Sequence, residues 1–128
     1  MAKKRVLITG MSGLIGGLAQ RQLEEAYELR ALNRSVVEGV DCVQADIAHL
    51  TAILPAFEDV DTVVHLAAIA TAGATWPQIL QANLIGTYNV FEAARRCGAK
   101  RVVYASSGAT ISNCELAMPY GGLVDRSH

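Results

Sequence analysis

This sequence predicts an α/β fold built on a parallel, doubly wound sheet, and three observations carry the prediction. Strand-like apolar runs alternate with helical patterns along the chain. A glycine triplet, Gly10, Gly13 and Gly16, lies between the apolar run Val6-Leu7-Ile8 and a helical pattern that opens at Leu14. Thr62 to Ala68 is nearly continuous in apolar residues, as a strand covered on both faces requires. Such alternation implies right-handed crossovers and a helix-covered sheet. The economical arrangement is about five strands in the order 3-2-1-4-5, with a ligand crevice at the strand C-termini beside the first strand.

The elements follow in order. Val6 to Thr9 reads as the first strand, and Leu14 to Glu25 as a helix with Leu14, Leu18 and Leu23 on one face. Leu29 to Leu32 and Cys42 to Ala45 are the second and third strands. Ala48 to Phe57 is a helix bent or ended near Pro55. Thr62 to Ala68 is the fourth strand. Pro77 suits a first helical turn, and a helix runs from there to Cys97, with Gly98 as its stop. Arg101 to Ala105 is the last strand. From Gly108 the periodicity fades, so residues 1–107 read as one nucleotide-binding domain and residues 108–128 as an irregular tail.

Composition removes several function classes. The 128 residues suffice for one domain. Net charge is −1, and the only basic cluster, Lys3-Lys4-Arg5, is too small for a nucleic-acid partner. The longest apolar stretch, near Val63 to Ala74, is short for a bilayer span and holds His65 and Thr71, so no membrane partner is expected. Cys42, Cys97 and Cys114 are odd in number and lack CxxC spacing, which argues against a disulfide framework or a metal site. With no targeting pattern, a cytoplasmic protein is expected.

The chemistry concentrates at the glycine loop. A strand that turns through glycines into a helix presents free N–H groups and the positive end of a helix dipole to an anion. Gly10 suits a turn closed to side chains, Gly13 lets a diphosphate approach the backbone, and Gly16 lets the helix lie close. At the end of the second strand stands Asn33, where an acid would repel a 2′-phosphate. Arg34 and Ser35 suit that phosphate, a slight lean to NADP over NAD, unless Arg34 is only a solvated charge. Asp46-Ile47 ends the third strand, where Asp46 suits an adenine amino group, a helix cap, or both. Leu66, Ala67 and Ala68 permit close backbone approach. His65 reads as a core or supporting histidine more readily than as a catalyst. Asn83 either holds backbone near the site or is a surface polar residue. Ser106 and Ser107 follow the fifth strand, where a hydroxyl either polarises a substrate oxygen or serves turn chemistry.

Taken together, these segments resemble the extended short-chain dehydrogenase/reductase family, the NAD-dependent sugar epimerase/dehydratase group. The matching pieces are Thr9 to Gly16, Asp46-Ile47, Val63 to Ala68, Asn83-Leu84-Ile85-Gly86-Thr87 and Arg101 to Ser107, in order and at family-like spacing. The resemblance implies the N-terminal, cofactor-binding Rossmann part of such a protein, truncated before a substrate lobe. It places the family's active-site Ser/Thr at Ser107 and its structural asparagine at Asn83. The positions marked as cofactor-facing are Gly10, Ser12, Gly13, Leu14, Ile15, Gly16, Asn33, Arg34, Asp46, Ile47, Leu66, Ala67, Ala68, Asn83, Ala105 and Ser106.

Two departures from the family pattern matter. Ala26 stands where a helix-ending glycine is common, a cost of about 1 kcal/mol if the site needs positive φ. More important, the family's catalytic dyad is Tyr-x-x-x-Lys, and the sequence contains none. Ala31, Glu92, Gly108 and Val124 stand four residues beyond Tyr27, Tyr88, Tyr104 and Tyr120, and the only lysines are Lys3, Lys4 and Lys100. A phenol titrating near pH 10 is a poor base without a neighbouring cation, and losing general acid/base catalysis costs roughly 10²–10⁴ in rate. The expectation is a dinucleotide-binding module inactive alone. The alternatives are the N-terminal part of an active enzyme on a nucleotide sugar or similar hydroxyl compound, and a non-enzymatic redox-sensing or interaction protein. Without the dyad-bearing helix, Leu80, Leu84, Val90 and Phe91 are expected to leave part of an apolar stripe uncovered, and the fifth strand an open edge. Both point to a homodimer or other self-association.

Overall fold

The computed structural model describes residues 2–111. Alternation within β1 (Arg5–Thr9) builds the two layers. Val6 and Ile8 pack on one face with Met11, Leu29 and Ala31. Leu7 points the other way into a larger cluster with Leu32, Phe57, Val63, Val90 and Ala93. A strand with apolar side chains on both faces must be central. β1 accordingly lies between β2 (Glu28–Asn33) and β4 (Thr62–His65), with β3 (Asp41–Gln44) and β5 (Arg101–Tyr104) outside them. All pairings are parallel and the order is β3-β2-β1-β4-β5, as expected. Thr9 is level with Leu32 and His65, and His65 with Tyr104, so the strand C-termini form one rim.

Helix α1 (Leu14–Leu23) covers the first face, but of the three leucines expected to pack there only Leu23 does. Leu14 is 83% exposed and Leu18 46%. The face that packs runs through Gly16, Ala19 and Leu23, because small residues let the helix axis approach the sheet while larger ones hold it off. The helix ends two residues before Glu25. Ala26 has no positive φ, since Asp59 alone among the described non-glycine residues does, so the anticipated strain does not arise.

On the other face, α2 (Leu50–Ile53) passes into a 3-10 turn, Leu54–Phe57, at Pro55. The fourth strand stops at His65 rather than Ala68 because β1 has turned away at Gly10, and the Leu66 N–H closes on the Thr9 carbonyl at 3.3 Å. The helix expected from Pro77 to Cys97 is interrupted. α3 (Trp76–Ile79) leads into a π-helical segment, Leu80–Ile85, and then α4 (Gly86–Arg96). The Gly86 N–H reaches back to the Gln81 carbonyl, the wide i→i−5 closure of a π turn. A Cβ on Gly86 would lie 2.5 Å from Ile47 Cγ1, so glycine here lets the helix meet the loop after β3.

The expected apolar stripe is uncovered at Leu84 and Phe91 but not at Val90. Val90 is fully buried because it faces β4 and the Phe57 turn, while Leu84, Tyr88 and Phe91 are exposed. Among the described residues β5 is a sheet edge, with Val103 50% exposed. Cys42 and Cys97 are free, half-buried thiols. A 3-10 turn, Gly108–Ile111, follows β5. The remainder of the expected tail, with Cys114 and Tyr120, lies outside the described residues.

Gly98 ends α4 at φ +76, with Ala99 N–H on the Ala94 carbonyl at 2.9 Å and Gly98 N–H on that of Arg95 at 3.3 Å. This is a Schellman closure, which needs a left-handed residue. A Cβ on Gly98 would meet nothing within 4 Å among the described residues. Gly98→Ala therefore isolates backbone strain, and chemical denaturation should show a loss of about 1 kcal/mol.

Candidate cofactor-binding site

The loop after β1 is held by main-chain geometry. Gly10 has φ +71, and its N–H donates to the Leu32 carbonyl at 3.2 Å. A Cβ there would lie 2.9 Å from the Ala67 nitrogen and Cα, so left-handed turn and close approach coincide. Gly13 is extended, at φ −76 and ψ 173, and caps α1 without a side-chain bond. The helical ladder begins with Gly17 N–H on the Gly13 carbonyl at 2.9 Å. The Leu14, Ile15 and Gly16 amides thus precede it, as the first turn of any helix leaves them. A Cβ on Gly16 would collide with the Gly10 carbonyl and lie 2.6 Å from Met11 Cα.

Beside this loop lies a cleft of about 900 Å³ at the rim where strand order reverses. Of the residues marked by sequence, Gly10, Ser12, Gly13, Asn33, Arg34, Asp46, Ile47, Leu66, Ala67 and Ala68 line it. Leu14, Ile15, Gly16, Asn83, Ala105, Ser106 and Ser107 do not form its wall. Residues the sequence reading missed close the far side: Ile69, Pro77, Gln78, Gln81 and Ala82. Gln78 is fixed there, its Oε1 accepting the Thr75 N–H at 2.8 Å. The available signal was the Thr75-Trp76-Pro77-Gln78 capping pattern, but the folding of that helix over the cleft is tertiary.

Asn33 ties the end of β2 to the loop. Its Nδ2 donates to Ser12 Oγ at 3.1 Å, to the Ser35 carbonyl at 3.0 Å and to Ser35 Oγ at 2.9 Å. The Arg34 guanidinium is exposed and engages no group among the described residues. Asp46 Oδ1 accepts the Ala48 N–H at 2.9 Å, a turn that leads to α2 while the side chain still borders the cleft. Asn89 donates to the Ile47 carbonyl at 2.9 Å and holds that wall in place.

Asn83, inside the π segment, both donates to the Ile69 carbonyl at 2.9 Å and accepts the Ile69 N–H at 2.8 Å. Its amide therefore braces the loop beyond β4 and does not project into the cleft. Asn83→Ala removes both bonds and should cost about 1–2 kcal/mol in a urea titration. Ser107 Oγ, exposed beyond β5, accepts the Ala109 N–H at 3.2 Å, the turn chemistry weighed for it above.

His65 is 1% exposed, with Nδ1 2.6 Å from Thr9 Oγ1 and Nε2 3.0 Å from Thr87 Oγ1. The Tyr104 ring stacks on it at 5.7 Å. Burial pushes its pKa down from 6.5 to about 4, so it is a neutral supporting residue at physiological pH. The unfolded imidazole takes up a proton that the folded one refuses between those values. Its contribution to stability is complete above pH 6.5 and declines as pH falls toward 4, by on the order of 3 kcal/mol. Denaturation midpoints between pH 7 and 4.5 should show this slope, and His65→Gln should flatten it.

A glycine turn opening a helix beside the switch point of a parallel sheet is the arrangement of a Rossmann-type fold. The comparisons with known proteins agree. The model of the NAD dependent epimerase/dehydratase family matches residues 6–121, and the chain belongs to that family. It is 39% identical to uronate dehydrogenase of Agrobacterium fabrum over 84% of this chain and 42% of that protein. To L-arabinose 1-dehydrogenase (NAD(P)(+)) of Haloferax volcanii it is 36% identical, over 80% of this chain and 41% of that one. Among solved structures, a mutant uronate dehydrogenase from Agrobacterium tumefaciens complexed with NAD superposes with a TM-score of 0.75 at 40% identity, covering 83% of this chain and 42% of that chain. The chain thus spans about two fifths of the length of these relatives. No helix among the described residues is long and apolar enough to cross a membrane.

Proposed function

We propose that this chain binds a nicotinamide dinucleotide in the cleft, as the cofactor half of a dehydrogenase-type reaction, and that the 128 residues alone turn over negligible substrate. The observation that carries the reading is the left-handed turn at Gly10, which brings Gly10, Ser12 and Gly13 into the cleft wall just before the start of α1. The bare backbone at Gly13 and the amides of Leu14, Ile15 and Gly16 suit a diphosphate. Asp46 and Ile47 suit the adenine. With Asn33 rather than an acid at the β2 end, an exposed Arg34 beside the cleft suits a 2′-phosphate, which favours NADP slightly while admitting NAD. When bound, the nicotinamide supplies the hydride donor or acceptor. Ser107 then donates a hydrogen bond to the substrate oxygen as charge develops on it. A uronic acid, nucleotide sugar or similar hydroxyl compound is the proposed substrate class, in keeping with the dehydrogenases named above.

Calorimetric titration with NAD, NADH, NADP and NADPH tests the reading. Binding of at least one is expected, and silence toward all of them at millimolar concentration would defeat it. The names of the relatives favour a second reading, in which further residues of a longer polypeptide, or another chain, supply the Tyr-x-x-x-Lys pair. An in-frame coding match downstream would support that reading. The exposed Leu84, Tyr88, Phe91 and Val103 support self-association through α4 and the β5 edge. Light scattering that shows only monomer at micromolar concentration would refute it.

A further inference from the structure

The hydrogen bonds around Thr9 leave its hydroxyl a single orientation. The Ala67 N–H donates to Thr9 Oγ1 at 3.1 Å, and the Leu66 N–H is shared between Thr9 Oγ1 at 3.1 Å and the Thr9 carbonyl at 3.3 Å. A hydroxyl has one proton and two lone pairs. The two amides occupy both lone pairs, so the hydroxyl proton points at His65 Nδ1, 2.6 Å away, and Nδ1 must be the acceptor. The ring proton therefore sits on Nε2, which donates to Thr87 Oγ1 of α4 at 3.0 Å. We infer that His65 is a positioning residue for cofactor binding: as the neutral Nε2–H tautomer, braced by Thr87, it holds the Thr9 hydroxyl in the orientation that accepts both amides and so fixes the Leu66–Ala67 main chain in the cleft wall. This rests on the dinucleotide reading above.

The wall has little freedom to adjust. The space where a Gly10 Cβ would stand is already within 2.9 Å of the Ala67 nitrogen and Cα, so a shift of Ala67 displaces the glycine turn. A proton on Nδ1 would face the Thr9 O–H, which must then rotate and release an amide. Among the described residues no charged group stands beside the ring to stabilise that state. Tyr104 of β5 is the titratable side chain stacked on the ring. Arg5 and Arg101 stand at the opposite ends of their strands, and Glu92, Arg95 and Arg96 lie on α4 beyond Thr87, toward its C-terminus. The depressed basicity of His65, caused by burial alone, is consistent with this arrangement.

Thr87 does not line the cleft, so it separates bracing from contact. NAD and NADP titrations at neutral pH should show Kd raised about fivefold in Thr87→Val, the scale of one net hydrogen bond, and largely restored in Thr87→Ser. Imidazole ¹⁵N NMR should find the Nε2–H tautomer in the wild type and a mixture of tautomers in Thr87→Val. An Nδ1–H tautomer in the wild type overturns the inference whether or not the variant folds. So does a folded Thr87→Val that binds as tightly as a binding-competent wild type. A wild type that binds neither dinucleotide instead overturns the cofactor reading, and the inference falls with it.

Discussion

Gly16→Ala is expected to destabilise the protein by about 3 kcal/mol, although it adds a single methyl group. The reason is the identity of the neighbours. The added carbon would meet the Gly10 carbonyl oxygen, Met11 Cα at 2.6 Å and the Met11 carbonyl carbon at 2.8 Å, all main-chain atoms that no rotamer change can move. Relief requires α1 to retreat from β1 or the Gly10 turn to open, and either loosens the cluster of Val6, Ile8 and Met11. Gly17→Ala, one residue on, is the control. Its nearest neighbour would be the end of the flexible Arg21 side chain at 3.9 Å, so the change should stabilise by about 0.5–1 kcal/mol through helix propensity. Urea denaturation of both variants decides the matter. If Gly16→Ala falls within about 0.5 kcal/mol of the wild type, the ordinary surface-substitution range, the close approach of loop and helix has been misread.

Gly13→Val should have the opposite profile, with folding preserved and dinucleotide binding abolished. Gly13 sits at φ −76 and ψ 173, a conformation any residue adopts, and a Cβ there would meet only the Gly10 carbonyl at 3.4 Å. The fold has room for the side chain because the cleft lies beyond it. That same room is what a diphosphate would need to reach the amides at the helix start. A branched side chain in it should weaken binding at least about 100-fold, which is about 2.7 kcal/mol of lost affinity. Calorimetry beside a denaturation curve reads both halves. A Gly13→Val variant that binds as tightly as wild type would place the ligand elsewhere, whereas one that fails to fold would show the loop to be more constrained than its geometry indicates.

Much of this was legible along the chain. Val6-Leu7-Ile8, the glycine triplet and the Thr62–Ala68 run are local signals whose period and composition act over a few residues, and they placed the strands and the loop. Gly98 is of the same kind, since a left-handed helix end is a local demand. Other features were illegible because they arise from contacts between distant segments. Leucines at helical spacing suggested the face of α1, yet of these only Leu23 packs, beside Gly16 and Ala19, whose value lies in the approach they allow. The π segment follows from Asn83 reaching Ile69 and from Gly86 meeting Ile47, neither of which leaves a mark on the hydrophobic period. Gln78 and Gln81 joined the cleft only once their helix had folded over it.

By itself the sequence determined the order of elements, the parallel sheet and the bare backbone at Gly10 and Gly13, because chain stiffness, apolar alternation and glycine's freedom operate between near neighbours. Tertiary structure alone decided which helix face is buried, where the strands stop, and how Thr9, His65 and Thr87 are joined. Those outcomes depend on hydrogen bonds and steric fit between segments many residues apart, and only the assembled sheet brings such groups within reach of one another.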